Sequence, residues 1–191
     1  MPHTIEPAAS GRAKCRGCDE KIAKGELRFG ERLDNPFGEG EMTLWFHVVC
    51  GAYKRPEPFL GALGHTDADL ESIATPAAPG KTADWLRVEA DDGLAHRRLP
   101  RLNGASRAPT GRARCRSCKE RIDQDTWRIA LVYYEDGFFS PSGFIHAGCA
   151  REYFEAPELA AEAVVRRVRH FAPELDAAEL AEIAAVIDGC R

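Results

Sequence analysis

An internal repeat is the feature that most constrains how this chain can fold. Residues 11–22, GRAKCRGCDEKI, recur as residues 111–122, GRARCRSCKERI. The similarity resumes further along each copy, where residues 45–50 read WFHVVC and residues 144–149 read FIHAGC. Self-similarity at a fixed spacing is the signature of a repeated folding unit. The sequence therefore predicts two copies of one module.

Each copy holds three cysteines and one histidine in the same order, as a Cys-x2-Cys pair followed by a His-x2-Cys pair. Two ligands three positions apart in a tight turn can face one centre, and two such turns complete the tetrahedron that zinc adopts with sulfur and nitrogen donors. Three thiolates disfavour magnesium and calcium, whereas ligand chemistry alone does not exclude iron. We predict two Zn2+ ions, one per module, bound by Cys15, Cys18, His47 and Cys50 and by Cys115, Cys118, His146 and Cys149.

The two clusters indicate structural rather than catalytic metal, because protein side chains supply all four ligands of each tetrahedron. Disulfide bonds are disfavoured, since the chain has seven cysteines but starts without a basic and apolar export signal. We therefore expect a cytoplasmic location, nucleoid-associated in a bacterium or nuclear in a eukaryote. The formal charge of −4 shows that affinity for an acidic partner would have to come from local charge.

The predicted fold class is α+β, with a short antiparallel sheet and helices in each zinc-stabilised module. We place module 1 at residues 1–75, a linker at 76–101, and module 2 with extra C-terminal helices at 102–191. β-forming residues predict strands over Leu27–Leu33 and Trp127–Tyr134. The remaining predictions are a helix over 158–170, a helix capped by Asp176 with Glu179, and a shorter helix over His65–Ile73; residues 81–101 fit a strand or a helix.

At this point the chain resembles a known family, the poly(ADP-ribose) polymerase-type zinc finger. The resemblance rests on residues 10–18, SGRAKCRGC, on Leu27-Arg28, and on residues 45–50 with the long interval between the ligand pairs. Module 2 departs by placing Thr110, Phe144 and Ile145 where module 1 has Ser10, Trp45 and Phe46. Its loop is also one residue shorter. The rest of the chain resembles no polymerase, ligase or phosphatase domain.

The resemblance implies binding of DNA strand breaks, with basic residues on the phosphates and an apolar loop on the exposed base stack. Stacking on an uncovered base contributes about 1–3 kcal/mol without reading sequence. Residues 107–121 carry six Lys and Arg and one Glu, a net charge of +5. The DNA-binding candidates are Arg12, Lys14, Arg16, Arg28, Phe37 and Met42 in module 1, and Arg112, Arg114, Arg116, Arg128, Phe138 and Phe139 in module 2.

Three hypotheses about function follow. The first is a non-enzymatic DNA damage sensor or repair accessory protein that binds nicks, gaps and ends independently of sequence, with a DNA repair enzyme as a further partner and no membrane. The second is a protein-interaction adaptor whose zinc sites are purely structural. The third hypothesis is an enzyme, but the sequence contains no catalytic motif that supports it. Phe138 and Phe139 fit a DNA-facing loop or a core position equally well.

Overall fold

The computed structural model describes residues 2–35, 38–70 and 82–189, and the chain divides into two compact units. The first unit comprises residues 1–95 with 135–139, and the second comprises 96–134 with 140–191. Each unit is built on a three-stranded antiparallel sheet accompanied by helices. The predicted α+β class is thereby confirmed.

The sheet of the first unit has the order β1-β2-β3. Its strands are β1 (Thr4–Pro7), β2 (Leu27–Asp34) and β3 (Glu41–His47), and its helices are α1 (Val48–Lys54), α2 (Pro56–Leu63) and α3 (Thr82–Ala95). Phe29 on β2 is fully buried and its ring lies 5.7 Å from that of Phe46 and 5.4 Å from that of Phe59. This aromatic cluster holds the helices on one face of the sheet.

The sheet of the second unit has the order β4-β5-β6. Its strands are β4 (Leu102–Arg107), β5 (Trp127–Glu135) and β6 (Phe138–His146), and its helices are α4 (Ala150–Tyr153), α5 (Ala161–Phe171) and α6 (Ala177–Gly189). Single 3-10 turns cover Leu99–Arg101 and Ala147–Cys149. Ile129, Ile145, Phe154, Val164 and Ile183 share one core cluster, which joins sheet and helices.

Both predicted strands are confirmed, and α6 has the predicted capping box. Asp176 Oδ1 accepts the N–H of Glu179 at 2.8 Å, and the Asp176 N–H donates to Glu179 Oε2 at 3.0 Å. The helix predicted over 158–170 runs over 161–171, because Ala160 is extended at the N-cap with ψ 141°. The turn at Asp136-Gly137, between β5 and β6, has positive φ at both residues.

The structure decides one open prediction about the middle of the chain and corrects another. The segment 81–101, which fitted a strand or a helix, forms α3 and then the 3-10 turn at Leu99–Arg101. The helix predicted from His65 is wrong for residues 65–69, which are turn and irregular chain, because Thr66 Oγ1 accepts the Ala68 N–H and donates to the carbonyl of Ile5. Residues 71–73 of that prediction lie outside the described residues.

The domain boundaries stay a prediction, since the break proposed at residue 75 lies outside the described residues. Within the described ranges, no helix combines the length and the apolar character needed to cross a membrane.

Candidate metal centres and cationic surface

A tight turn of the same geometry presents the first two cysteines in each unit. The Asp19 N–H donates to the Cys15 carbonyl at 2.9 Å, and the Lys119 N–H donates to the Cys115 carbonyl at 3.1 Å. Asp19 and Lys119 both have positive φ, 62° and 68°, although neither is glycine. Strained backbone at equivalent positions of both copies indicates that the contacts of the surrounding site hold the chain in this conformation. The turn therefore sets the direction of both thiols.

The four predicted ligands converge in each unit. Ligand atoms of Cys15, Cys18, His47 and Cys50 lie within 4.8 Å of one another, and so do those of Cys115, Cys118, His146 and Cys149. The Cys18 and Cys50 sulfurs lie 3.3 and 4.0 Å from His47 Nδ1. The second cluster has the corresponding distances of 3.5 and 3.8 Å.

These separations fit zinc. A tetrahedral ion with Zn–S of about 2.3 Å and Zn–N of about 2.0–2.1 Å holds its ligand atoms roughly 3.5–3.8 Å apart. Three sulfurs and one imidazole nitrogen are also the donor set of a structural zinc site. The two Cys3His clusters are accordingly two zinc sites, one per module, as predicted.

Each ligand histidine is oriented by a backbone carbonyl on its far side. His47 Nε2 lies 3.4 Å from the carbonyl oxygen of Lys21, and His146 Nε2 lies 3.0 Å from that of Arg121. With Nδ1 among the thiols, Nε2 carries the proton and donates it to the carbonyl. Such a partner fixes the ring and makes the ligand nitrogen more basic. A hydrogen bond thus connects each zinc ligand histidine to the basic segment that carries Lys21 or Arg121.

Backbone and thiol hydrogen bonds prepare one cysteine of each cluster as a thiolate. The pKa of Cys15 falls to about 3, first because of the Cys18 and Cys50 thiols and also because the His47 N–H donates to its sulfur. For Cys115, burial raises the pKa, but the N–H of His146 and other backbone donors outweigh it and the pKa falls to about 7. Zinc must displace protons from the remaining thiols.

The other cysteines hold their protons more firmly. Hydrogen bonds to Cys15 and Cys18 raise the pKa of the Cys50 thiol well above its ordinary value. Burial raises the pKa of Cys149 to about 12. Zinc uptake at either site therefore releases protons from these thiols.

The comparisons with known proteins agree with this geometry. Residues 6–62 match the family described as the poly(ADP-ribose) polymerase and DNA-ligase Zn-finger region. The matched residues hold the first Cys3His cluster and are similar to a zinc finger of this family. Module 2 repeats its ligand cluster, so the two modules are called finger 1 and finger 2 below. The resemblance stated from the sequence is thereby confirmed.

Relatives match a larger part of the chain but only a small part of their own length. A poly(ADP-ribose) polymerase of Sarcophaga peregrina is 27% identical over 71% of this chain and 14% of its own length. Poly(ADP-ribose) polymerase 1 of Caenorhabditis elegans is 33% identical over 49% of this chain and 9% of its own. A polynucleotide 3'-phosphatase of Arabidopsis thaliana is 28% identical over 78% of this chain and 24% of its own. The chain thus spans less than a quarter of each of these proteins.

Exposed cations surround both cysteine turns. The side chains of Arg12, Lys14 and Arg16 in finger 1 are exposed, and so are those of Arg112, Arg114 and Arg116 in finger 2. In the part of the chain that the structure describes, none of these six forms an ion pair with a carboxylate. Arg107, at the edge of the basic run of finger 2, is neutralised by Glu182. The other cations leave each turn with uncompensated positive charge.

Arg28 and Arg128 lie deeper and stack on rings. The Arg28 guanidinium lies 3.4 Å from the centroid of the Trp45 ring, and its Nη2 contacts Glu6 Oε1 at 2.7 Å. Arg128 lies 3.7 Å from the centroid of Phe144. Burial lowers the pKa of Arg128. Both arginines are therefore held against an aromatic ring, and Arg28 is also ion-paired.

The aromatic and apolar candidates occupy different environments. Met42 on β3 is partly buried, whereas Phe138 is 47% exposed and lies 5.0 Å from the Arg16 guanidinium within the first unit. Phe139 is half-buried, with its ring 6.3 Å from that of Phe46. Phe37 lies outside the described residues.

Two kinds of residue at these sites were not predicted. The carbonyls of Lys21 and Arg121 orient the ligand histidines, and no side-chain pattern marks them. Arg98 and Arg101 line a cavity of the second unit together with Arg116. The three arginines within five positions, at 97, 98 and 101, were a visible signal for that cavity.

Proposed function

We propose that this chain binds strand breaks in duplex DNA through both fingers, independently of base sequence, as a damage sensor or repair accessory protein. The observation that carries the proposal is the repeated display of exposed, unneutralised cations around two zinc-held turns. Phosphate contacts supply affinity without reading bases. The relatives' names, a polymerase of poly(ADP-ribose) and a polynucleotide 3'-phosphatase, support a nucleic-acid context.

Break specificity needs an apolar group that can cover an exposed base pair. From the module 2 sequence, Phe138 is the exposed aromatic candidate with Phe139 beside it, and both belong to the first compact unit. In finger 1 the candidates are Phe37 and the partly buried Met42. Intact duplex offers no uncovered base face, so such a group would favour nicks, gaps and ends. We propose that Arg28 and Arg128 brace the rings behind this surface and add to its positive potential.

The charge distribution favours DNA binding over the adaptor hypothesis. Carboxylates around Arg112, Arg114 and Arg116 would neutralise the surface and favour an adaptor, but within the described ranges these side chains have no such partner. We also propose a non-catalytic role, since both zinc ions have four protein ligands and so lack an open position for a reacting water.

A binding comparison tests the proposal. The zinc-loaded chain should bind nicked duplex more tightly than intact duplex of the same sequence, measured by fluorescence anisotropy. A salt titration should lower the affinity steeply, and Arg116→Ala should reduce the slope by about one phosphate contact. Glu120→Ala removes a negative charge from the same turn and should make the salt dependence of the affinity steeper. Equal affinity for nicked and intact duplex would remove break specificity.

A further inference from the structure

The second unit has a cavity lined by two arginines, Arg98 and Arg101, that are not part of the proposed DNA-binding surface. It lies between the 3-10 turn at Leu99–Arg101 and the cysteine turn, and has a volume of about 470 Å3. Four cations line it against one carboxylate: Arg98, Arg101, Arg116 and Lys119 against Glu152. We call it the arginine pocket. Its volume falls within the roughly 300–1,000 Å3 typical of ligand sites, but its lining is far more cationic than usual.

The cations of the arginine pocket are held in place. Arg98 is anchored by Glu155 Oε1 at 3.2 Å and by the carbonyl of Tyr153 at 3.3 Å. Lys119 Nζ donates to the carbonyl of Arg116 at 2.6 Å. Arg101 lies 5.6 Å from the centroid of the Tyr133 ring. Cations held this way lose little further freedom when an anion binds.

Gly143 leaves room for the Arg116 side chain at the wall of the arginine pocket. Gly143 has φ +89°, and a Cβ at this position would lie 2.9 Å from Arg116 Nε. A side chain would therefore displace the guanidinium. In the part of the chain that the structure describes, neither Arg101 nor Arg116 forms an ion pair with a carboxylate. Their charges are available to a ligand.

A second cavity of about 470 Å3 shares Arg116 and Lys119 with the arginine pocket. Its lining includes Ala113 and Phe144, which make it more apolar than its neighbour. A strongly cationic cavity that shares two lining residues with a partly apolar one matches the chemistry of a nucleotide, with its phosphate in the first and its sugar and base in the second.

We propose that the arginine pocket binds the terminal phosphate monoester of a DNA strand at a break. A phosphodiester carries one negative charge and belongs to a continuous backbone. A monoester carries about −1.5 to −2 at pH 7 and has three acceptor oxygens. Several cations around one concave site match the monoester better. The inference rests on the proposed function, to which it adds the chemistry of the preferred end.

A small ligand tests the arginine pocket without requiring break binding. The full, zinc-loaded chain is titrated with a thymidine dinucleotide carrying a 5'-phosphate, a 3'-phosphate or two hydroxyl ends. We expect a phosphorylated form to bind about tenfold more tightly than the hydroxyl form, because hydrogen bonds between charged groups are strong. The 5' and 3' forms identify the end that the site prefers. Equal binding of all three overturns the proposal, whatever the protein does with longer DNA.

Two variants locate the effect. Arg101→Gln should reduce the ratio of phosphorylated to hydroxyl affinity to about one, both for the dinucleotide and for nicked duplexes that differ only in the terminal phosphate. Arg97→Gln makes the same charge change four positions earlier, at an exposed residue outside the pocket lining, and should keep the ratio. An unchanged ratio in Arg101→Gln overturns the assignment.

The two proposals fail in different ways. Nicked duplex bound more tightly than intact duplex, but with no preference for a phosphorylated end, overturns the pocket alone. A phosphorylated dinucleotide that binds and loses affinity in Arg101→Gln, in a chain that ignores nicks, overturns break binding alone.

Discussion

The two fingers share one zinc frame but place different chemistry behind it. In finger 1, Glu31 on β2 is 1% exposed and its carboxylate contacts the Arg55 guanidinium through Nη2 and through Nε at 2.8 Å. Leu131 holds the matching strand position of finger 2, and Phe154 follows His146 by the same eight residues that separate Arg55 from His47. Both belong to the apolar core.

The contrast extends to the position just before Arg55 and Phe154, and to the first strand of each sheet. Lys54 is buried in finger 1, where burial lowers its pKa to about 7, and Tyr153 replaces it in finger 2. Glu6 pairs with Arg28, whereas Ser106 stands opposite Arg128. The shared metal frame thus tolerates buried charge at these positions in one copy and uncharged side chains in the other, because zinc supplies much of the folding free energy.

Loss of one ligand should have the largest effect on this comparison. Cys15→Ala should cost finger 1 its zinc, and Cys115→Ala should do the same to finger 2, because apparent binding free energies of structural zinc reach about 10–16 kcal/mol. Elemental analysis should find one zinc per chain in each variant, and NMR spectra should lose the dispersed signals of the altered finger. Cys190→Ala, outside both clusters, should retain two. Two zinc ions in Cys15→Ala would contradict the assignment.

Disruption of the buried ion pair between Glu31 and Arg55 should have the second-largest effect. Glu31→Gln removes the buried negative charge that contacts the Arg55 guanidinium and should cost on the order of 3 kcal/mol of unfolding free energy. The double change Glu31→Leu with Arg55→Phe copies finger 2 and should recover much of that loss, since a packed apolar pair can replace a buried ion pair. Urea unfolding of the zinc-loaded chain measures both. A Glu31→Gln variant as stable as wild type would show that the pair adds nothing.

Chelation should separate the two zinc sites by rate. Cys18 is partly buried and Cys50 buried in finger 1, whereas Cys118 is exposed and Cys149 partly buried in finger 2. A chelator therefore reaches the ligands of finger 2 more readily. With a chromogenic chelator, Cys15→Ala, which retains only the site of finger 2, should release its zinc faster than Cys115→Ala. The opposite order would mean that exposure does not control release.

The smallest effect should come from exchanging the residues opposite the stacked arginines. Glu6→Ser releases Arg28 from its ion pair and should raise affinity for nicked duplex by up to about fivefold, as expected for a partly exposed pair. Ser106→Glu should lower affinity by a similar factor. Both are measured by anisotropy at low salt. Changes in the same direction in the two variants would show that these residues do not act through the charge of the arginine.

The sequence predicted most of what is local or repeated, although the helix expected from His65 was wrong. The ligand spacing fixes Cys15, Cys18, His47 and Cys50 because a tetrahedral ion demands it. The capping box of Asp176 and Glu179 spans three residues, so it is visible in the chain itself. By contrast, α3 was ambiguous, since Val88 and Leu94 are exposed while Glu89 is fully buried, which blurs the helical pattern.

Long-range partners were beyond reach. Glu31 meets Arg55 across 24 positions, and the arginine pocket joins Arg101 to Arg116 and Lys119. Nothing in the spacing of these residues indicates that they meet, because the sheet and the zinc turn bring them together. The Glu6 and Arg28 pair likewise depends on strand register, which the sequence alone does not set.

The hydrogen bond from each ligand imidazole to the carbonyl of Lys21 or Arg121 has a further consequence. When the ion leaves, the ring loses its orientation, and the basic segment beyond it is released from one of its anchors. The same cations would then be scattered over many conformations, and gathering them around an anion would cost entropy. An oxidant that attacks the thiolates would thus weaken the proposed binding of phosphates without altering any arginine.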